Sequence, residues 1–549
     1  MERLKINFKG RVQGVGFRFQ AFRIANNLNL TGNVKNMYDG SVLVHAQGKR
    51  RNIDAFIDAI KNERFIRVES VDIMKLEVDN NEKSFEILYW YGIIVFLVYS
   101  KTMRLKSKIV KNIAKLTRST LRLTNHKATS LPGYIAYKLD KDILDELSQN
   151  TKFIFVTGTN GKTMTTHFLT NILRQHYDYV YTNDSGSNMV QGIITSLLDN
   201  PSNKETVAVL EVDEANLVRI GKFLKADYVV FTNVFRDQMD RFGEIYNIFD
   251  KIMEGMETIP DAKIIANGDL PIFAYEQMDK YDTSYYAIRD KDKIVEDYTL
   301  EAEMNSDGIL CPKCNSILKY RVVNYSSLGD FSCPNCDFKS KDVDYTIDTL
   351  VELSSGYSKF MIGDEDYEVN VGGLYNVYNA LAAAATAKKL GLSYREISDG
   401  LRTQKNVFGR QENINISGKN VIINLVKNPT GLNQIIELML LNDNNVSLIC
   451  LLNDNYADGL DVSWIYDSHY EKLKNMNITD IYVSGKRSFD MKRRLEIAEI
   501  YDGDIEEFDY QKDIVDVINN CKSDEVYILS TYTAMLKLRE VLKLSWSLI

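Results

Sequence analysis

The stretch FIFVTGTNGKT, residues 153–163, is an apolar run that ends on two glycines, a lysine and a threonine. A buried strand that turns into a helix through glycines aims backbone N–H groups at phosphate. Gly158 and Gly161 allow close approach to an anion, with Thr159 and Asn160 between them. Lys162 can reach terminal phosphates and Thr163 can hold Mg²⁺. The strict phosphate-loop spacing wants glycine at position 156, where Val156 stands, so this is not the general GTPase or ATPase loop.

A second pattern is metal chemistry. Of six cysteines, four form two CxxC pairs, Cys311 with Cys314 and, after 18 residues, Cys333 with Cys336. Each pair offers two thiolates to one tetrahedral ion, at the spacing of a zinc ribbon. Four thiolates leave no open position, so the expected role is structural. A nucleic-acid-binding ribbon is the rival reading, but the flanks YSSLGDFSCPNCDFKSKD are not strongly basic. Cys450 and Cys521 fall in strand or helix-end contexts and read as core residues. A third pattern is GRVQGVGFRFQ, residues 10–20, a glycine-spaced loop between a strand and a helix. Its N–H groups can cradle an anion, and Arg18 can clamp a phosphate.

These residues need elements to hold them. The chain has 549 residues, enough for roughly three to four domains. It is 45% hydrophobic and 26% charged, an ordinary globular balance. A net charge of −8 argues against nucleic-acid binding by bulk charge. The fold class expected is multidomain α/β. Residues 1–88 alternate and switch period in the order β-α-β-β-α-β, the ferredoxin-like pattern, with Asp39-Gly40 as a hairpin turn. Residues 89–130 form an apolar, then basic, linker. Residues 131–408 alternate strand and helix around a cysteine-rich insertion at 308–340, with FIFVTG, TVAVLEVD, DYVVFTNV and AKIIANGD as strands. Residues 409–549 read as a smaller Rossmann-like α/β domain with strands NVIINLV, VSLICLL, DIYVSG and EVYILS.

The N-terminus MERLKINFKG enters polar alternation directly, without the pattern of a signal peptide. The apolar stretch 87–99 is shorter than the ~20 residues of a spanning helix and is expected to be a buried strand or a linker. The expected location is cytoplasmic. From Lys101 to Lys127 there are nine Lys or Arg and no Asp or Glu, on a helical apolar stripe. That segment either packs on its own domain or lies on the inner face of the membrane.

The form GTNGKT resembles the loop of the Mur ligase superfamily, which makes amide bonds through ATP-derived acyl phosphates. Further segments resemble that family in order: LEVDEANL with Glu211 as a second Mg²⁺ ligand, TNVFRDQMDRFGE, NGD with Asn267, GLYNVYNALAA with Asn376 and Asn379 toward the adenine, and FGRQE with Arg410. Gln238 stands where the family has histidine. NDSGSNM, LVKNPTGLNQ, LNDNYADGLDVSWIYD and TYTAML are similar to the MurT subfamily, the ligase subunits of lipid II isoglutaminyl synthases, over about residues 103–549. The resemblance implies P-loop catalysis by Lys162 and Glu211 with ATP, Mg²⁺ and a zinc-holding insertion. It implies a D-glutamate α-carboxylate in a lipid-linked peptidoglycan precursor as substrate, with Lys427 near its acyl phosphate. It also implies ammonia from a separate GatD-type glutaminase subunit, since no cysteine here has a nucleophile-elbow context. An aspartate of this chain would complete that partner's site: Asp461, with Asp454 and Asp458 behind it.

GRVQGVGFRFQ and GNVKN resemble the two motifs of acylphosphatases. The resemblance implies that Arg18 binds the phosphoryl group and Asn36 orients the attacking water; Asn33 stands where that family has tryptophan. A degenerate domain kept for binding is the alternative. A half that makes an acyl phosphate is thus joined to a half able to hydrolyse one. Clearing of stray acyl phosphates would couple them, but two independent units in one frame is the simpler reading. The first pattern is complete by Leu88, the second resembles its family from Met103, and the stretch between matches neither. Two other readings stay open. One is a Mur-type ligase that joins an amino acid, as in folylpolyglutamate or pseudomurein peptide synthesis. The other is a binding scaffold built on the ribbon, which leaves the phosphate loop unexplained.

Overall fold

Leu4, Ile6 and Phe8 alternate along the first strand and bury one face of an N-terminal sheet. In the computed structural model this unit runs β1 (Glu2–Arg11), a helix Phe17–Asn27, β2 (Thr31–Asn36), β3 (Val42–Gly48), a helix Arg50–Lys61, β4 (Arg67–Leu76) and β5 (Phe85–Ile87). The sheet order is β4-β1-β3-β2-β5. β1 pairs antiparallel with β3 and β4, and β2 antiparallel with β3 and parallel with β5. Both helices cover one face, around Phe17, Ile24, Phe56 and Phe85. The last segment is not one strand, as its alternation suggests, but two, at opposite edges of the sheet. Gln47 of β3 exchanges hydrogen bonds with the Asp79 backbone and so holds the crossing between them.

The structure describes all residues except 38, 64, 80, 81, 88–92, 124–128, 184–188, 202, 237–244, 304, 305, 404–409, 543 and 545–549; of 93–105, 122 and 123 it describes the backbone alone. Two units are separate in their contacts, Met1–Leu105 and Lys106–Ile549. The apolar stretch 87–99 departs from expectation. Residues 88–92 lie outside the described set, and from Ile93 the chain is helical to Leu123. No glycine or proline interrupts 93–123, so helix propagates from the apolar part into the basic part. From Lys106 onward this helix packs on the second unit through Ser107, Val110 and Ala114. Several of its cations turn inward: Lys106 to Asp140 (3.0 Å), Lys111 to the Asn200 carbonyl (2.5 Å), and Lys115 and Arg118 to Asp199 (3.1 and 2.5 Å). Among the described residues no helix is long and apolar enough to cross a membrane.

The second unit carries two main sheets. The first contains β6 (Thr151–Thr157), β7 (Val180–Thr182), β8 (Thr206–Glu211), β9 (Tyr228–Phe231), β10 (Lys263–Asn267) and β11 (Thr283–Ile288). A separate hairpin, β12 (Lys319–Tyr325) and β13 (Leu328–Ser332), follows; then β14 (Tyr345–Leu353), β15 (Ser358–Ile362) and β16 (Glu365–Val369) rejoin the sheet. Its order is β16-β15-β14-β11-β10-β9-β6-β8-β7. Pairing is parallel from β7 to β14 and antiparallel beyond. The second sheet holds β17 (Glu412–Ile416), β18 (Lys419–Leu425), β19 (Val446–Leu451), β20 (Ile478–Ser484), β21 (Ile505–Glu507) and β22 (Glu525–Ser530) in the order β17-β18-β22-β19-β20-β21. Only β17 is antiparallel there. The strands read from sequence are β6, β8, β9 and β10 in one sheet and β18, β19, β20 and β22 in the other. In such sheets, ligands gather at the carboxyl ends of the strands.

The N-terminal unit has its own apolar core. Residues 1–88 expressed alone should therefore unfold in one cooperative thermal transition, read by circular dichroism. A broad, non-cooperative loss of signal would contradict that independence.

Candidate active site and metal centre

β6 delivers the chain into the loop at Thr157, and the helix Lys162–Leu173 begins directly after Gly161. Gly158 has φ +129° and Gly161 φ +84°, a region side chains resist. Space agrees with the backbone. A Cβ on Gly158 would lie 2.3 Å from Thr232 Oγ1, and one on Gly161 2.1 Å from Asn379 Oδ1. The loop is fixed by its neighbours. Thr159 N donates to the Asn233 carbonyl (2.9 Å), Asn160 N to Asn233 Oδ1 (2.9 Å), and Thr232 Oγ1 to the Asn160 carbonyl (2.7 Å).

The ends of successive parallel strands supply the polar groups. Lys162 is buried; its Nζ donates to the Gly158 carbonyl (2.6 Å) and lies 3.6 Å from both Asp213 and Glu214. Thr163 Oγ1 donates to Glu211 Oε2 at 2.9 Å, so the two expected metal ligands meet. Asn183, just past β7, holds the Glu211 backbone with two hydrogen bonds of 2.8 and 2.9 Å. Asn267, at the end of β10, donates to the Thr232 carbonyl (3.2 Å). Thr163 and Glu211 are hard oxygen donors one hydrogen bond apart, a donor set suited to a divalent cation beside bound phosphates.

The C-terminal half closes over this loop. Asn160 and Asn428 exchange side-chain amide hydrogen bonds of 3.3 and 3.2 Å, and Lys427 Nζ donates to the Thr159 carbonyl (3.3 Å). Between the halves lies a cavity of about 70 Å³, walled by Asn160, Gly161, Phe235, Tyr325, Tyr375, Asn379, Arg410 and Lys427. Asn379 Nδ2 donates to Asn376 Oδ1 (3.3 Å), and Asn376 Nδ2 to the Gly372 carbonyl (2.8 Å). Burial lowers the Arg410 pKa, and Glu211 opposes that shift. Gln238 lies outside the described residues. Sequence reasoning missed Asn183, Asp213, Glu214 and Tyr375. The missed asparagine had a readable trace: Thr182-Asn183 repeats the Thr232-Asn233 pair at a strand end.

The four cysteine sulfurs lie within 4.8 Å of one another, a cluster able to chelate a metal ion. Cys311 Sγ is 3.5 Å from Cys336 Sγ, and Cys314 Sγ 3.4 Å from Cys333 Sγ. Burial pushes the Cys311 thiol up to about 12, whereas hydrogen bonds from Ser316 hold Cys314 down to about 6. Cys450 and Cys521 are buried core thiols, pushed up by burial to about 12 and about 11.

The three aspartates differ in company. Asp458 is buried and accepts from Thr533 N (2.7 Å), Thr533 Oγ1 (2.5 Å) and Asn455 N (3.1 Å). Asp454 pairs with Arg487 at 3.1 Å. Asp461 is exposed and accepts from Ser463 N (2.8 Å). Tyr456, Leu460 and Tyr466, within five residues of it along the chain, are also exposed.

In the N-terminal unit, Gly14 and Gly16 turn the loop at φ +74° and +79°. Gln13 Nε2 donates to the carbonyls of Met37 and Ser41 (both 2.7 Å), which ties the loop to the end of β2. Arg18 stands in the first turn of its helix and Asn36 ends β2. Asn33 Oδ1 faces His45 Nδ1 (3.1 Å), on the side of β2 away from buried Val34. Asn33 in place of tryptophan therefore leaves the core intact.

A Cβ at Gly161 meets both the φ restriction and Asn379. Gly161→Ala should abolish the thermal shift given by MgATP and lower the unfolding midpoint, by about 1–3 kcal/mol of stability. An unchanged shift would contradict the loop geometry.

Residues 156–387 match the Mur ligase middle domain, 425–535 the MurT ligase C-terminal domain, and 4–87 the acylphosphatase family. The chain is 42% identical over 418 residues to the MurT subunit of lipid II isoglutaminyl synthase (glutamine-hydrolyzing) from Streptococcus pneumoniae, covering 76% of this chain and 92% of that one. It is 46% identical over 90 residues to an acylphosphatase of Clostridium acetobutylicum, covering 16% of this chain and 99% of that one. Its fold is similar to a pseudomurein peptide ligase type C from Methanothermus fervidus, with TM-score 0.54 and 22% identity over 73% of this chain and 80% of that one. The chain belongs to the MurT family of Mur ligase-type enzymes and carries an acylphosphatase-family unit at its N-terminal end.

Proposed function

We propose that this chain uses ATP to activate the α-carboxylate of a D-glutamyl residue in a peptidoglycan-precursor stem, and that ammonia then converts it to the amide. The observation that carries the reading is the Thr163–Glu211 contact of 2.9 Å beside buried Lys162, in a chain of the MurT family. A carboxylate is a poor electrophile. Transfer of the γ-phosphoryl group to its oxygen gives an acyl phosphate and ADP; ammonia attacks the carbonyl carbon and phosphate leaves. Positioning and charge neutralisation do most of the work in such a transfer. Lys162 and the loop N–H groups would hold the phosphates. Mg²⁺ between Thr163 and Glu211 would neutralise developing charge. Asn376, Asn379 and Arg410 would hold the rest of the nucleotide. Lys427, which reaches the loop from the C-terminal half, would meet the acyl phosphate.

Ammonia would come from a GatD-type glutaminase subunit. Of the three candidate aspartates, Asp461 is the exposed one, and its sequence neighbours Tyr456, Leu460 and Tyr466 are exposed too. Asp458 is engaged by its own loop and Asp454 by Arg487. The ferredoxin-like N-terminal unit would hydrolyse acyl phosphates with Arg18 and Asn36. The cysteine knuckles would hold zinc as a ribbon within the ATP-binding domain, because four thiolates suit a closed tetrahedral site.

Incubation with a D-glutamate-containing precursor, ATP, Mg²⁺ and ammonium should yield the amide by mass spectrometry. Lys162→Ala should reduce it roughly a hundredfold or more. Glutamine should replace ammonium only when the glutaminase is added, and Asp461→Asn should abolish that replacement alone. Addition of an amino acid instead of ammonia would overturn the reading in favour of a peptide ligase. Arg18→Ala should remove benzoyl phosphate hydrolysis and leave amide formation unchanged; loss of both would contradict independent units. Elemental analysis should find about one zinc per chain, lowered in Cys333→Ser.

A further inference from the structure

The β12–β13 hairpin has different company at its two ends. One end opens into the cysteine knuckles, with Cys333 directly after β13. The other turns through Ser326, at φ +51°, and Ser327. That tip enters the main α/β half. Gly329 N donates to the Asp269 carbonyl (3.0 Å), and Asn324 Nδ2 donates to the Ile288 carbonyl (3.1 Å) and to Tyr378 Oη (2.7 Å). Leu328 is fully buried in the main core. A lone two-stranded hairpin is marginal in water, so these anchors set where the tip sits.

Tyr325 is the last residue of β12. Its ring meets Tyr378 edge-on at 5.6 Å and Phe235 at 6.3 Å. It forms part of the wall of the cavity that Asn160 and Gly161 of the phosphate loop also line. It also borders a cleft of about 390 Å³ lined by Arg236, His469 and Lys472. The cavity wall offers two kinds of group. Asn379, Asn424 and Gln434 line it with amides, the kind of group that pairs with the donor and acceptor edge of a purine. Phe235, Tyr325 and Tyr375 present rings, which match its face. Phosphates held at the loop leave the base to the aromatic side.

We propose that Tyr325, carried by the cysteine-rich insertion, is the platform on which the nucleotide base stacks. The insertion is then part of the nucleotide site, not a remote brace. This rests on the reading of the loop as a nucleotide site. The role is tested by calorimetric titration of the full chain with Mg²⁺ and a non-hydrolysable ATP analogue, and separately with inorganic tripolyphosphate. Tyr325→Ala should weaken the nucleotide about tenfold or more and leave tripolyphosphate unchanged. Tyr325→Phe should keep nucleotide affinity, and Tyr325→Leu, which preserves bulk at the tip, should behave like the alanine variant. Lys162→Ala should weaken both ligands. Wild-type nucleotide affinity in Tyr325→Leu, or parallel loss of both ligands, overturns the proposal while the nucleotide reading stands. A wild-type chain that binds neither ligand overturns both.

Discussion

Two hydrogen bonds between amides join the working halves of this enzyme. Asn160 sits in the phosphate loop, and Asn428 begins the helix Pro429–Met439 of the C-terminal half, where its side chain also accepts from Gly431 N at 2.8 Å. The loop is thus gripped from below by Asn233 and from above by a helix cap. Everything at the site depends on that register: Lys427 meets the loop from above, and Arg410 and Tyr375 close the cavity. The grip is a weak one. A neutral hydrogen bond contributes a net ~0.5–1.5 kcal/mol. The space between the halves measures about 70 Å³.

The local parts of the site are legible in the order of the residues. A strand, two glycines, Lys162 and Thr163 lie within eleven residues, and chemistry that local needs no distant partner to be recognised. The cysteine pairs are legible for the same reason, since each knuckle is closed by its own short turn. The remainder is a matter of distance along the chain. Asn160 and Asn428 are 268 residues apart, and Asn183 and Glu211 28 apart. No periodicity couples such positions. Asp461 is favoured in the sequence over Asp454 and Asp458, but the three different environments of these carboxylates, set by distant partners such as Thr533 and Arg487, are not legible there.

Some elements escape a sequence reading for energetic reasons. β14, β15 and β16 close the edge of the sheet with half-buried, mixed-polarity residues, so their pattern is weak. The apolar stretch before Lys101 reads as strand or linker because its composition is β-branched and aromatic. It is helical from Ile93 because a long neighbouring helix extends into it without a breaker. Propensity yields there to cooperative growth.

A unit of the acylphosphatase family and a unit of the MurT family share the chain, and their cores are separate. The central claim is that the second unit makes such an intermediate on a carboxylate. It is tested most directly with a precursor whose glutamyl α-carboxylate carries ¹⁸O in both oxygens, turned over with ATP and ammonia. An acyl phosphate retains one carboxylate oxygen as its bridge, and that oxygen departs with phosphate. One ¹⁸O should appear in the released inorganic phosphate for each amide formed. Phosphate free of ¹⁸O, with amide still accumulating, would contradict it.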